Sequence, residues 1–334
     1  MNSIASQPAY LAVRAGVGLI GRDDEARLVV SGADRATYLH GLLTNDITAL
    51  QAGQGCYAAY LTAQGRMIAD LHVYELGDVI LLTVLADVKD TVLAKLNQFI
   101  FSEDVQLGDV TATFGAVAVA GPRAALSVAR ALDLDADTLS ALPEHGNVRA
   151  SFDGHPAIVL RVGDLGEPGL EVLVETAALA SLRARLHTAG AVDIDDETAE
   201  VLRVEGGVPR FRRDMDEETI PLEAGIESRA ISLTKGCYVG QEVIIRVLHR
   251  GHGRVAKKLV GLTLGDGPVP ARRAVVHGPE KAVGEVTSAV WSLALDRPIA
   301  LAYVQRDFVA PGTTLTVDGH AATVTALPFR LSQS

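Results

Sequence analysis

Lys235-Gly-Cys-Tyr-Val-Gly-Gln-Glu242 is the stretch on which the reading of this chain turns. Two glycines bracket a cysteine close to a lysine, and Val243-Ile-Ile-Arg-Val-Leu248 reads as a helix behind it. If that helix starts near Gly240, Cys237 stands close to its N-terminus. Free backbone amides and a nearby ammonium both favour thiolate, the reactive form of the side chain. Free cysteine is equally at home as a small buried hydrophobe, and local chemistry leaves both readings open.

Downstream, no acidic residue occurs between Val243 and Gly265, whereas Arg246, Arg250, Arg254, Lys257 and Lys258 do. A cationic strip suits an anionic ligand tail or phosphate; a plain solvated face is the simpler alternative. His249 and His252 are three apart, a spacing usable by a metal on one helical face. Gly251 and Gly253 interrupt any helix there, and no metal site is expected. Beyond Arg254, short apolar runs recur: Leu259 to Leu264, Ala274 to His277, Gly284 to Thr287, Ile299 to Val304, Thr314 to Val317 and Ala322 to Leu327. Short strands separated by Gly, Pro and Asp predict a small β-barrel or sandwich over 253–334.

Upstream, strand and helix signals mix. Arg27 to Ser31, Cys56 to Leu61, Met67 to Leu76 and Val79 to Ala86 read as strands. Asp34, Asp87 and Thr176 are placed to cap helices. Val117 to Gly121, Ala157 to Val162 and Leu170 to Val174 read as further strands. The expected units are an α+β region over 1–115 joined by part of 200–252, a second α+β domain over 116–200, and the C-terminal barrel. Residues 191–227 hold twelve Asp or Glu against four Arg.

The chain has 334 residues, 48% of them apolar, and a net charge of −11. That composition supports a packed core and rules out general disorder. The acidic balance argues against direct nucleic-acid binding. Two cysteines, Cys56 and Cys237, are too few for a disulfide scaffold or a cysteine-built zinc site. No signal peptide or membrane span is read, so a cytoplasmic protein, monomeric or weakly oligomeric, is expected. Phosphate-cradling GxxxxGK[ST] and GxGxxG loops and a GxSxG elbow are all missing.

Two carboxylates stand in strand-like runs. Asp70, in Gly65-Arg-Met-Ile-Ala-Asp-Leu-His-Val-Tyr74, shares a face with Ile68, His72 and Tyr74 if alternation holds. Glu171 lies in Gly169-Leu-Glu-Val-Leu-Val174. A carboxylate on an apolar face is costly unless paired or lining a site; exposure at a sheet edge is the alternative. Arg203 and Glu205 are candidates for an ion pair with each other.

Taken together, Leu39-His-Gly-Leu-Leu-Thr-Asn-Asp-Ile47, Leu61-Thr-Ala-Gln-Gly-Arg-Met-Ile-Ala-Asp70, Pro221-Leu-Glu-Ala224 and Lys235 to Glu242 resemble, in that order, the YgfZ-type folate-binding proteins, relatives of the glycine cleavage T protein. Gly284-Glu-Val-Thr-Ser288 and Ala300-Leu-Ala-Tyr-Val304 resemble the C-terminal barrel of both groups. The likeness runs from about residue 25 to 328, and the Lys235 to Glu242 stretch is particular to the YgfZ branch.

The resemblance implies an α+β three-domain cloverleaf around a central folate channel. It implies binding of tetrahydrofolate or a one-carbon derivative. It further implies support of iron–sulfur clusters in client or assembly proteins, tRNA-thiolating enzymes among them, with Cys237 as the working thiol. By position, Asp70 matches the T protein's catalytic aspartate and Glu171 its pterin-binding glutamate, while Arg203 matches an arginine near the folate. Arg246 and Arg250 are candidates for the ligand's anionic tail. Asp70, missing from some YgfZ-type proteins, is retained here, which keeps a folate-dependent aminomethyltransferase open as an alternative. A non-catalytic folate sensor or scaffold is a third.

Overall fold

A computed structural model of the chain describes residues 7–249 and 254–330. One antiparallel sheet, one mixed sheet with a parallel edge pair, and a barrel make up the α+β architecture. In the first sheet the strands run in the order Gly55–Leu61, Met67–Glu75, Ile80–Leu85, Glu25–Ser31, Gln106–Asp109. Alternation sets which side chains meet across it: Tyr57 lies opposite His72, and His72 opposite Thr83. The apolar side of this sheet is covered by Tyr38, Leu39 and Leu42 of the helix Arg35–Leu42. Residues of the later segment join the same core, among them Phe211, Leu222, Ile226, Tyr238 and Ile244.

The second sheet is ordered Val192–Asp193, Gly18–Gly21, Phe114–Ala120, Gly169–Glu175, His155–Val162, Asn147–Phe152. The strand Gly18–Gly21 lies within the stretch that the sequence assigns to the first unit, yet it pairs with Phe114–Ala120. A four-residue strand carries little period-2 signal, so its sheet is set by its partners. Tyr74, Leu81, Leu160 and Leu173 form a shared apolar layer that joins the two sheets.

The third unit is a closed barrel of six strands, from Lys257–Leu264 to His320–Thr325, which pair with each other to close it. Closure removes the open sheet edges. Its outer face packs on the helices Gln7–Ala15 and Asp196–Glu205 through Tyr10, Val13, Leu202, Leu301 and Tyr303.

The expected caps differ. Asp34 precedes the helix Arg35–Leu42 without capping it, and its carboxylate instead accepts from the Asp104 amide at 2.9 Å. Asp87 and Thr176 each fall in a 3-10 turn, ahead of Lys89–Asn97 and Leu179–Thr188, with no side-chain cap bond. Side-chain caps do occur at Asp135 and Asp195, each accepting from an amide three residues on at 2.8 Å. Among the described residues no helix is long and apolar enough to cross a membrane.

Candidate functional site

A cleft opens where the two sheets and the loop Val208–Phe211 come together, with about 830 Å³ of open space including its mouth. Asp70, His72 and Tyr57 come to it from the first sheet, Arg22 and Asp164 from the second unit, and Arg203 from the helix Asp196–Glu205.

Asp70 and His72 are two apart on the strand Met67–Glu75, so both side chains leave the same face. The Tyr57 hydroxyl donates to Asp70 Oδ2 at 2.7 Å. Burial lifts the Asp70 pKa above the usual carboxylate value, opposed by the Tyr57 hydrogen bond and by His72. Burial and then the Asp70 carboxylate push the Tyr57 hydroxyl far up, so it stays a donor. The Arg229 guanidinium stacks 5.2 Å from the Tyr57 ring centroid.

Glu171 is 1% exposed. It is not in the wall of the cleft but directly behind it: its Oε2 lies 3.3 Å from Nε of Arg22, which does line the cleft. Its Oε1 is buried with no hydrogen-bond partner among the described residues. Such an atom costs about 1 to 3 kcal/mol unless a donor reaches it. Arg22 also holds Asp164 at 2.6 Å and approaches Glu25 at 3.5 Å. One buried cation thus faces three carboxylates. Burial and neighbouring carboxylates push Glu25 and Glu171 up; at Asp164 burial also raises, but Arg22, His72 and His145 together outweigh it and bring the pKa down.

Arg203 lines the cleft, but the protein takes all of its N–H groups. Nε and Nη2 bond Glu200 at 2.9 and 2.7 Å. Nη1 bonds Asp214 at 2.7 Å and the Val208 carbonyl at 2.5 Å, and Nη2 also reaches the Ser288 hydroxyl at 2.8 Å. A guanidinium offers five donors, so Arg203 serves as a tie from its helix to the 208–214 loop and the barrel. It does not pair with Glu205, because residues two apart on a helix do not face each other. Glu205 instead receives Tyr10 at 2.8 Å and Ser292 at 2.6 Å and pairs with Arg14.

Lys235 and Tyr238 turn inward, while Cys237 between them is exposed. Lys235 Nζ donates to the carbonyls of His40, Leu43 and Asn45, the last two at 2.6 and 3.0 Å. Burial brings its pKa down to about 8. The ammonium is therefore committed to the backbone. The following helix begins at Gln241, four residues beyond Cys237, so the thiol is outside its first turn. Gly240, at φ +86°, brings this loop against the turn before Arg66: a Cβ there would meet the Thr62 carbonyl oxygen at 2.5 Å. Cys56 is partly buried in its strand, and burial pushes its thiol up to about 12. Neither cysteine lines the cleft.

Arg246 is exposed on the helix Gln241–His249 and does not line the cleft; Arg250 lies outside the described residues. No group of acidic, histidine and cysteine side chains able to hold a metal occurs among the described residues. Arg22, Glu25, Asp164, Tyr57 and Arg229 were not identified from sequence as site residues. They carry no motif of their own, and only packing of the second unit on the first brings them together.

Residues 4–235 match the GCVT N-terminal domain and residues 257–330 the glycine cleavage T-protein C-terminal barrel domain. The chain is 37% identical over 295 residues to an aminomethyltransferase of Rubrobacter xylanophilus, covering 88% of this chain and 77% of that one. It is 31% identical over 321 residues to a putative chloroplastic transferase of Arabidopsis thaliana, covering 95% and 72%. The crystal structure of the glycine cleavage system aminomethyltransferase T from Bartonella henselae shares the fold, with a TM-score of 0.87 at 23% identity over 97% of this chain and 89% of that one. The chain belongs to the glycine cleavage T-protein superfamily.

Proposed function

We propose that the cleft binds tetrahydrofolate and that the protein transfers a one-carbon unit to it from an aminomethylated thiol. The observation that carries this reading is the acceptor-rich inner wall, with Asp70 in the cleft and the unpartnered Glu171 Oε1 one side chain behind it. The amino-pyrimidine edge of a pterin is a row of N–H donors, and a carboxylate can accept from two at once. Arg22 already contacts Glu171 and would have to shift to let the pterin reach it. The similarity to aminomethyltransferases supports the same reading.

In this mechanism the folate supplies the nitrogens that take up the carbon. Asp70, its orientation set by the Tyr57 hydrogen bond, fixes those nitrogens and stabilises positive charge that develops beside it. Arg203 holds the helix, loop and barrel together around the ligand. The test is formation of methylenetetrahydrofolate from tetrahydrofolate and an aminomethylated lipoyl carrier protein. Loss of turnover in Asp70→Asn supports the reading, and no turnover by the unaltered protein overturns it. Calorimetry with folinic acid tests binding alone: an unchanged heat signal in Glu171→Ala overturns the pterin assignment. Binding without turnover selects the sensor or scaffold reading.

A second reading is favoured by the exposure of Cys237 between two buried neighbours. In it the protein maintains iron–sulfur clusters in client enzymes, with Cys237 forming a transient link to a cluster, persulfide or oxidised partner. Full restoration of iron–sulfur enzyme activity by Cys237→Ala, in a strain lacking the endogenous protein, overturns that thiol role.

A further inference from the structure

His72 is the histidine of the cleft, and the mechanism above leaves it unused. It sits on the same strand face as Asp70, with its ring centroid 5.2 Å from that of Tyr57. Nδ1 lies 3.5 Å from the Thr83 hydroxyl, at the outer limit of a hydrogen bond. Nε2 lies 4.0 Å from Asp164 Oδ1. That gap is too long for a hydrogen bond and short enough for a carboxylate to stabilise an imidazolium. Asp164 is itself held at 2.6 Å by Arg22.

We propose that His72 is the proton acceptor of the cleft, with Asp164 as its positioning residue. The inference rests on the aminomethyl-transfer reading. With the proton of the neutral ring on Nδ1, facing Thr83, the Nε2 lone pair is free. As a C–N bond to the nitrogen nucleophile forms, the C–S bond of the aminomethylated thiol breaks and its electron pair leaves on sulfur. The nucleophile's proton passes to Nε2 and then to that sulfur; closure of the second C–N bond that gives methylenetetrahydrofolate expels the amine as ammonia, which carries off the second nitrogen's proton, so the ring ends as it began and nothing is oxidised or reduced.

The groups facing His72 bear on its charge. Asp70 on its own strand and Asp164 from the second unit favour the imidazolium; Arg22 and Arg229 disfavour it. Burial, the largest influence, lowers its pKa below 6.5 and leaves it neutral at pH 7. His145, its ring centroid 5.0 Å away, is itself held neutral by burial, its pKa down to about 3.

Two measurements test the proposal. Nitrogen NMR of the imidazoles, with and without bound tetrahydrofolate, reads the tautomer directly. A resting ring protonated at Nδ1, whose pKa falls in Asp164→Asn, supports it; a resting proton on Nε2 overturns it. Single-turnover transfer is then followed against pH in His72→Gln and His72→Asn, with folding checked by thermal melting. A loss of about 100-fold or more, with folate affinity retained and the acid limb of the profile gone, is expected of a general base. Turnover within a few-fold of the unaltered protein, with the same profile, overturns the role of His72 and leaves the transfer reading standing. No turnover by the unaltered protein overturns both.

Discussion

Oδ2 of Asp70 accepts a 2.7 Å hydrogen bond from Tyr57, a residue that lies on the neighbouring strand beside the Asp70 strand face rather than near it in sequence. The hydroxyl both aims the carboxylate and holds down a pKa that burial raises. In Tyr57→Phe the Asp70 pKa should therefore climb further. Carbon NMR of the carboxyl group reads the titration, and an unshifted or lower midpoint would show that the hydroxyl does not stabilise the ionised form.

The raised Asp70 pKa has a consequence for stability. The folded state holds the proton more tightly than the unfolded chain, so the folded form loses stability as pH rises from the ordinary carboxylate range through the folded pKa. Asp70→Asn removes that loss. Its stability relative to the parent should grow across this window and then level off, as measured by urea unfolding at a series of pH values.

Arg203→Met should be among the most damaging single changes outside the apolar cores. It takes the guanidinium away from Asp214, whose side chain is fully buried, and from Glu200. Removing one member of a buried pair costs about 3 to 5 kcal/mol. Denaturant unfolding measures it, and a loss below about 1 kcal/mol would show that the hub is dispensable.

Lys235→Met should also destabilise, by about 2 to 4 kcal/mol, because the His40, Leu43 and Asn45 carbonyls lose their shared donor in a buried setting. Folding of this variant with unchanged stability would mean that the lysine is free for another role. The Lys235 pKa near 8 lies below that of an unfolded lysine, so the parent gains stability as pH rises from about 8 towards 10.5. The variant should lack that gain.

The two thiols should separate cleanly. Cys237 is exposed, whereas burial holds Cys56 protonated with a pKa of about 12. Iodoacetamide at pH 8 should alkylate Cys237 in the native protein and reach Cys56 only after unfolding. Peptide mass spectrometry reads both sites, and equal labelling in the native state would contradict the buried setting of Cys56.

Much of this was legible in the sequence for local reasons. The spaced β runs after Arg254 predict a small barrel or sandwich because alternation and turn residues act over a few positions, and the pairing of the first strand with the last closes it as a barrel. Asp70 and His72 share a face because a strand has period two. The order of the motifs from Leu39 to Glu242 points to the superfamily in the same local way. What only the tertiary structure decided is which charges meet. Arg22 reaches Asp164 and Glu171 across about 150 positions of chain, and Lys235 is bound to carbonyls around residue 40 rather than to the neighbouring thiol. Arg203 lines the cleft but is spent on Asp214 and Ser288. Local propensity acts over one or two turns, whereas a buried charge takes whatever partner packing delivers, because leaving it unpaired costs several kcal/mol.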